Sequence, residues 1–192
     1  MRRLLPASLL ALLPALAAAA DGDAAVATPD LPALIECRSD IHAYLALAPA
    51  LKDPLKAVAL GWQPLPQSNM FMTEYRLAQP IRVFGHDSDR VAFTGDSVLA
   101  ILDLPDPRPL ARQLELETAI DTPAKAMFGK ELRSVETRDA RTGATVIESA
   151  VLNVSNVSSH PGKTLVGCSY SFDLPEEDEA PETPPAQAPA DA

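Results

Sequence analysis

The sequence has no cluster of Lys or Arg, no C-x-x-C motif and no internal repeat. Beyond its first twenty residues it has no apolar run long enough to cross a bilayer. Each absence removes a class of function. Without clustered cations nothing neutralises a row of phosphates, so nucleic acid and anionic membrane surfaces are poor partners. Without closely spaced cysteines and further ligands, a thiol redox pair or a metal–thiolate centre has no foundation. A transmembrane helix needs about 18 or more apolar residues, and no membrane anchor is expected once the leader is removed.

That leader is the first feature present. Met1–Ala20 carries Arg2 and Arg3, an apolar stretch from Leu4 to Leu16, and the small residues Ala18, Ala19 and Ala20. This is the form of a signal peptide, with cleavage expected between Ala20 and Asp21. No cysteine directly follows the apolar stretch, which argues against a lipid-anchored lipoprotein, and the short Ala/Leu-rich leader points to a bacterial periplasm. Cleavage leaves 14 basic side chains against 26 acidic. Seven of the acids lie from Asp173 onward, where there is no Lys or Arg, so the part expected to fold is only mildly acidic. Residues 174–192 form a Pro/Ala/acid tail too poor in apolar surface to offset its ordering entropy. Residues 21–29 read as a flexible lead-in, leaving 30–173 as one domain.

Two cysteines remain, Cys37 and Cys168. In an exported chain an even count favours a disulfide. In the chain-entropy view, closing so long a loop stabilises by about 4–5 kcal/mol.

The spacing predicts a helix starting at Leu31-Pro32 behind an Asp30 cap, interrupted at Arg38-Ser39-Asp40 and restarted by Ser39. A second helix has Asp53 as cap, Pro54 at its first position and Gly61 just past its end. Trp62 follows as a lid on the core. Met70–Leu104 reads as four short strands separated by Pro80, by Gly85–Asp89 and by Gly95-Asp96, with Glu74 and Arg76 on a solvent face. Short helices are expected after Asp106-Pro107 and between Asp121 and Gly129. Strands follow over 132–137, 145–157 and 163–172, the last putting Cys168 on its core-facing side. His160-Pro161-Gly162 carries a type II turn, with Pro at the second position and Gly at the third. The fold class expected is α+β: a curved antiparallel sheet of about six or seven strands covered by short N-terminal helices, with a helical crossover in the middle.

Three groups of residues invite a chemical reading. Gly95-Asp96-Ser97-Val98 resembles the nucleophile block of GDS-type esterases. It lacks the strand–turn–helix context and the later Asp-x-x-His those enzymes use, so a hairpin turn accounts for it. His86-Asp87-Ser88-Asp89 puts an imidazole and two carboxylates within four residues, but without an EF-hand pattern, and reads as a turn. His42, His86 and His160 lie on a helix, a loop and a turn. Only convergence of two of them with Glu74 or Glu148 would make a zinc or copper site. The glycosylation sequons at Asn153 and Asn156 fall on the polar face of a strand. No cofactor and no metal is expected. The function expected is a non-catalytic binding or interaction module of the cell envelope, with an envelope protein or a small ligand as partner. The alternative is a small periplasmic hydrolase or metal-dependent enzyme using His86, Asp87 and Asp89, or His160.

Overall fold

The computed structural model describes residues 28–139 and 142–174. The leader, its cleavage point at Ala20–Asp21, most of the lead-in and the tail from residue 175 lie outside the described residues. Four short helices come first: α1 (Leu31–Ile35), α2 (Ile41–Leu45), α3 (Ala48–Lys52) and α4 (Pro54–Ala59). Strands β1 (Trp62–Pro64), β2 (Thr73–Val83), β3 (His86–Thr94) and β4 (Ser97–Leu102) follow as a meander. After α5 (Arg108–Gln113) a second meander runs through β5 (Glu117–Asp121), β6 (Ala126–Arg138), β7 (Thr145–Ser155) and β8 (Thr164–Asp173). The two meanders join where β8 pairs antiparallel with β4. The result is one eight-stranded antiparallel sheet of order β1-β2-β3-β4-β8-β7-β6-β5.

The α+β expectation is thus right about an antiparallel sheet with short helices at its N-terminal end, and about the crossover at α5. The molecule is nevertheless mainly β, with more strands than expected. Two strands are additional, β1 and β5, while β2 joins two that were expected to be separate, and the segment expected to be helical between Asp121 and Gly129 forms the turn and second strand of a β-hairpin. Thr122 makes its turn, donating its backbone N–H to Lys125 O at 2.8 Å and accepting Lys125 N on Oγ1 at 3.0 Å. Phe128 and Ala126 then alternate into the core. Pro80 likewise does not end a strand. It sits in a register shift between Arg76 and Ile81 on a continuous β2, where a missing N–H is tolerated. The turn expected at Gly85–Asp89 is shorter: Phe84 and Gly85 both take positive φ (48° and 85°), the two-residue hairpin geometry, and His86–Asp89 belong to β3. Glu36 Oε1 accepts Phe84 N at 2.8 Å and ties this turn to the end of α1.

Three of the four N-terminal helices open on an aspartate side-chain cap, and α3 has none. The carboxylates of Asp30, Asp40 and Asp53 accept Ala33 N, Ala43 N and Leu55 N at 2.9–3.0 Å. Asp40, not Ser39, restarts the helix after the break, and Cys37 ends α1 with φ at 55°. These helices lay Leu31, Leu34, Ile35, Ile41, Tyr44 and Leu47 on one face of the sheet, over Val91, Phe93, Val98, Val166 and Tyr170. Tyr44 and Tyr170 stack with ring centroids 5.4 Å apart. Their hydroxyls donate to Gly95 O at 3.0 Å and Leu34 O at 2.7 Å. Trp62, buried as expected, stacks on Phe93. The Cys37–Cys168 disulfide joins the end of α1 to β8, with 5.2 Å between the Cα atoms. On the opposite face a smaller apolar cluster gathers Met72, Ala92, Leu99, Ile101 and Leu165. No helix of the described residues is long and apolar enough to cross a membrane.

Candidate functional site

That second face is roofed at one end by two loops, the segment between β1 and β2 and the turn between β7 and β8. A buried polar network stitches them together. Glu74 comes from β2, where strict alternation predicts a solvent position. It is instead 2 % exposed, because its face lies under both loops beside buried Met72. Its Oε1 accepts Ser68 Oγ at 2.7 Å and His160 Nε2 at 3.0 Å. Its Oε2 accepts Arg90 Nη2 at 2.5 Å, reached diagonally from β3. His160, 5 % exposed, arrives on the β7–β8 turn. The turn has the form the sequence predicts, with Lys163 N donating to His160 O at 3.2 Å and Gly162 at φ 72°. Ser159 Oγ lies 3.0 Å from His160 Nδ1 and accepts Asn69 Nδ2 at 3.2 Å.

One assignment of hydrogens satisfies this whole chain. Asn69 donates to Ser159, Ser159 to His160 Nδ1, and His160, as the neutral Nε2–H tautomer, to Glu74. The Glu74 carboxylate is then offset by the Arg90 guanidinium, so the cluster carries no net charge into the interior. Burial pushes the Glu74 carboxyl up, but hydrogen bonds from Ser68, His160 and Arg90 outweigh it and hold it below the usual carboxylate range. Among the described residues, Arg90 Nε is buried without a hydrogen-bond partner.

The β1–β2 loop is fixed along its length. Asn69 Oδ1 accepts Phe71 N at 3.0 Å, Met72 N donates to Asn69 O at 3.1 Å, and the Gln67 amide donates to Met70 O at 3.2 Å. At its tip Met70 and Phe71 are 79 % and 74 % exposed.

The other residues marked by the sequence do not converge. Asp87 and Asp89 make exposed ion pairs with Arg82 at 3.1 Å and Arg76 at 3.7 Å, while Ser88 turns inward and donates to Ile101 O at 2.8 Å. His86 lines a separate hollow beside Pro109. His42 lies 3.5 Å from Glu148, far from the His160–Glu74 pair in the sheet order. Among the described residues no group of three or more His, Cys, Asp or Glu could hold a metal ion. Gly95-Asp96 forms the hairpin between β3 and β4, and Ser97 Oγ is spent on Ser169 Oγ at 2.6 Å. The amides of Asn153 and Asn156 serve the fold, donating to Ser169 Oγ at 3.0 Å and accepting Ala126 N at 2.8 Å. A polar groove of about 450 Å³ runs past Arg76, Arg90 and Lys163. Each of these cations already faces a carboxylate: Asp89, Glu74 and Asp103.

Sequence reasoning named His160 and Glu74 separately and missed that they meet, with Ser68 and Asn69 unmarked. The available signal was Met72, two residues before Glu74 and on the same face. No protein-family model matches this sequence, and no curated protein and no solved structure matches it either.

Proposed function

We propose that the chain is a non-catalytic interaction module of the bacterial periplasm, which inserts Met70 and Phe71 into an apolar pocket of another envelope protein. The observation that carries this reading is the pair itself: two adjacent large apolar side chains, about three-quarters exposed, on a loop whose backbone is already hydrogen-bonded in place. An anchor immobilised beforehand loses little freedom on binding, and buried aromatic anchors dominate interface energetics. On this reading the Glu74–His160 network is the support of the loop. The leader sequence and the disulfide favour the exported compartment.

The test is a photo-crosslinking amino acid placed at Phe71 in producing cells. A discrete adduct is expected there, lost when Met70→Ser is added, and absent with the cross-linker at exposed Thr118. Equal labelling at 71 and 118, or none at 71, would remove the proposal. One observation favours a second reading. Ser159, His160 and Glu74 fall in the hydroxyl–imidazole–carboxylate order of an acyl-transfer triad. Against it, the imidazole is buried and Arg90 already neutralises the carboxylate. Hydrolysis of p-nitrophenyl acetate abolished by Ser159→Ala would favour this second reading over the first.

A further inference from the structure

On the opposite side of the sheet from the Met70–Phe71 loop, the N-terminal helices enclose a cleft of about 510 Å³, within the size range of small-molecule sites. Its floor is buried Leu34, Leu47 and Ala50, and its near wall is exposed Ala43 of α2 and Ala46 just past the end of that helix. A second hollow of about 270 Å³ in front of Trp62 and Leu77 shares Thr28, Pro29 and Leu60 with the first. The two hollows thus adjoin along these three residues.

Two charged side chains border the cleft. The Asp30 carboxylate is turned to its own helix, accepting Ala33 N at 3.0 Å. Lys56, on α4, is exposed and makes no ion pair among the described residues. An apolar trough with one free ammonium at its border is complementary to an apolar tail with an anionic head. We propose that this cleft binds a long-chain fatty acid, the hydrocarbon along Leu34 and Leu47 and the carboxylate at Lys56 Nζ. The site is independent of the Met70–Phe71 loop, so either proposal can fail without the other.

The experiment uses the purified chain and dansyl-labelled undecanoic acid, whose fluorescence rises in an apolar environment. A saturable rise at one probe per chain is expected. Displacement by saturated fatty acids should strengthen about two- to fourfold per added methylene until the cleft is full. Dodecyltrimethylammonium should compete far more weakly than dodecanoate. Lys56→Gln should weaken dodecanoate roughly three- to fivefold, the scale of one exposed ion pair, and leave dodecanol unchanged. Ala46→Trp, a substitution at an exposed position that leaves the floor intact, should abolish binding of every ligand, and Ala43→Trp provides an independent second block. Absence of saturable binding overturns the proposal, as does binding that survives both tryptophan variants. So does a Lys56→Gln variant that treats dodecanoate and dodecanol alike. Self-association abolished by Ala46→Trp, without probe binding, would assign the cleft to a second copy and overturn it too.

Discussion

Removing the Glu74 carboxylate strands three donors, the Ser68 hydroxyl, the His160 imidazole and the Arg90 guanidinium. Breaking a buried pair from one side costs about 3–5 kcal/mol, and Arg90 retains some access to water, which places Glu74→Ala near the lower end. Urea denaturation of the variant should show that loss at neutral pH. The same network fixes the acid side of the stability profile. Because the folded Glu74 carboxyl titrates below its ordinary value of 4.5, its contribution is complete above that value and is lost as pH falls through the lower folded value. The difference in stability between the wild type and Glu74→Gln should therefore narrow as urea titrations move from about pH 7 to about pH 3. The alkaline side belongs to the tyrosines. Burial, with the nearby carboxylates of Asp96 and Asp40, pushes the phenols of Tyr44 and Tyr170 from 10.0 up to about 12. The stability that depends on keeping them neutral is intact below pH 10.0 and is lost as pH rises through 12. Tyrosinate absorbance in the folded protein should accordingly lag behind that of the urea-unfolded chain.

Single elements depend on contacts that the chain itself does not announce. Asn69 links the loop tip to the β7–β8 turn through one amide, so Asn69→Ala should cost about 1 kcal/mol. It should also speed hydrogen exchange at Phe71 N without altering exchange in β4 or β8. The caps at Asp30 and Asp53, Pro54 as the first residue of α4 and the Gly95-Asp96 hairpin were all legible, because each is settled by neighbours within a few positions. The hairpin after Asp121 was not. Pro123 marks a turn and a helix start equally well, and only pairing with β7, some twenty residues on, decides between them. Glu74 was misplaced for a related reason. A period-2 pattern tells the two faces of a strand apart but does not say that a distant turn will roof the polar one. His160 was read as a turn residue, which it is, and its burial followed from that roof.

At the scale of the whole molecule, the β4–β8 seam and the disulfide act on the same junction. Gly167 of β8 lies so close to β4 that an added Cβ would fall 2.7 Å from Leu99 Cα, besides meeting Val98 O. Gly167→Ala should thus force the two meanders apart and lower stability by about 3 kcal/mol or more, seen as a reduced urea midpoint with the helical cleft variants unaffected. The Cys37–Cys168 bond spans 131 positions, and Cys37→Ser should destabilise by about 5 kcal/mol through loop closure alone. Non-reducing intact mass after alkylation should show no modified thiol in the wild type.

The strand that completes the middle of the sheet comes last among the described elements. On the proposed export route the chain emerges amino-terminus first, so β1–β4 reach the far side with β4 an open edge until nearly everything else has crossed. Cys37 then waits as a free thiol for a partner more than a hundred residues behind it. Such a protein cannot mature piecemeal. On that route a chain stopped after Lys163 should be found as proteolytic fragments, not as a smaller folded domain.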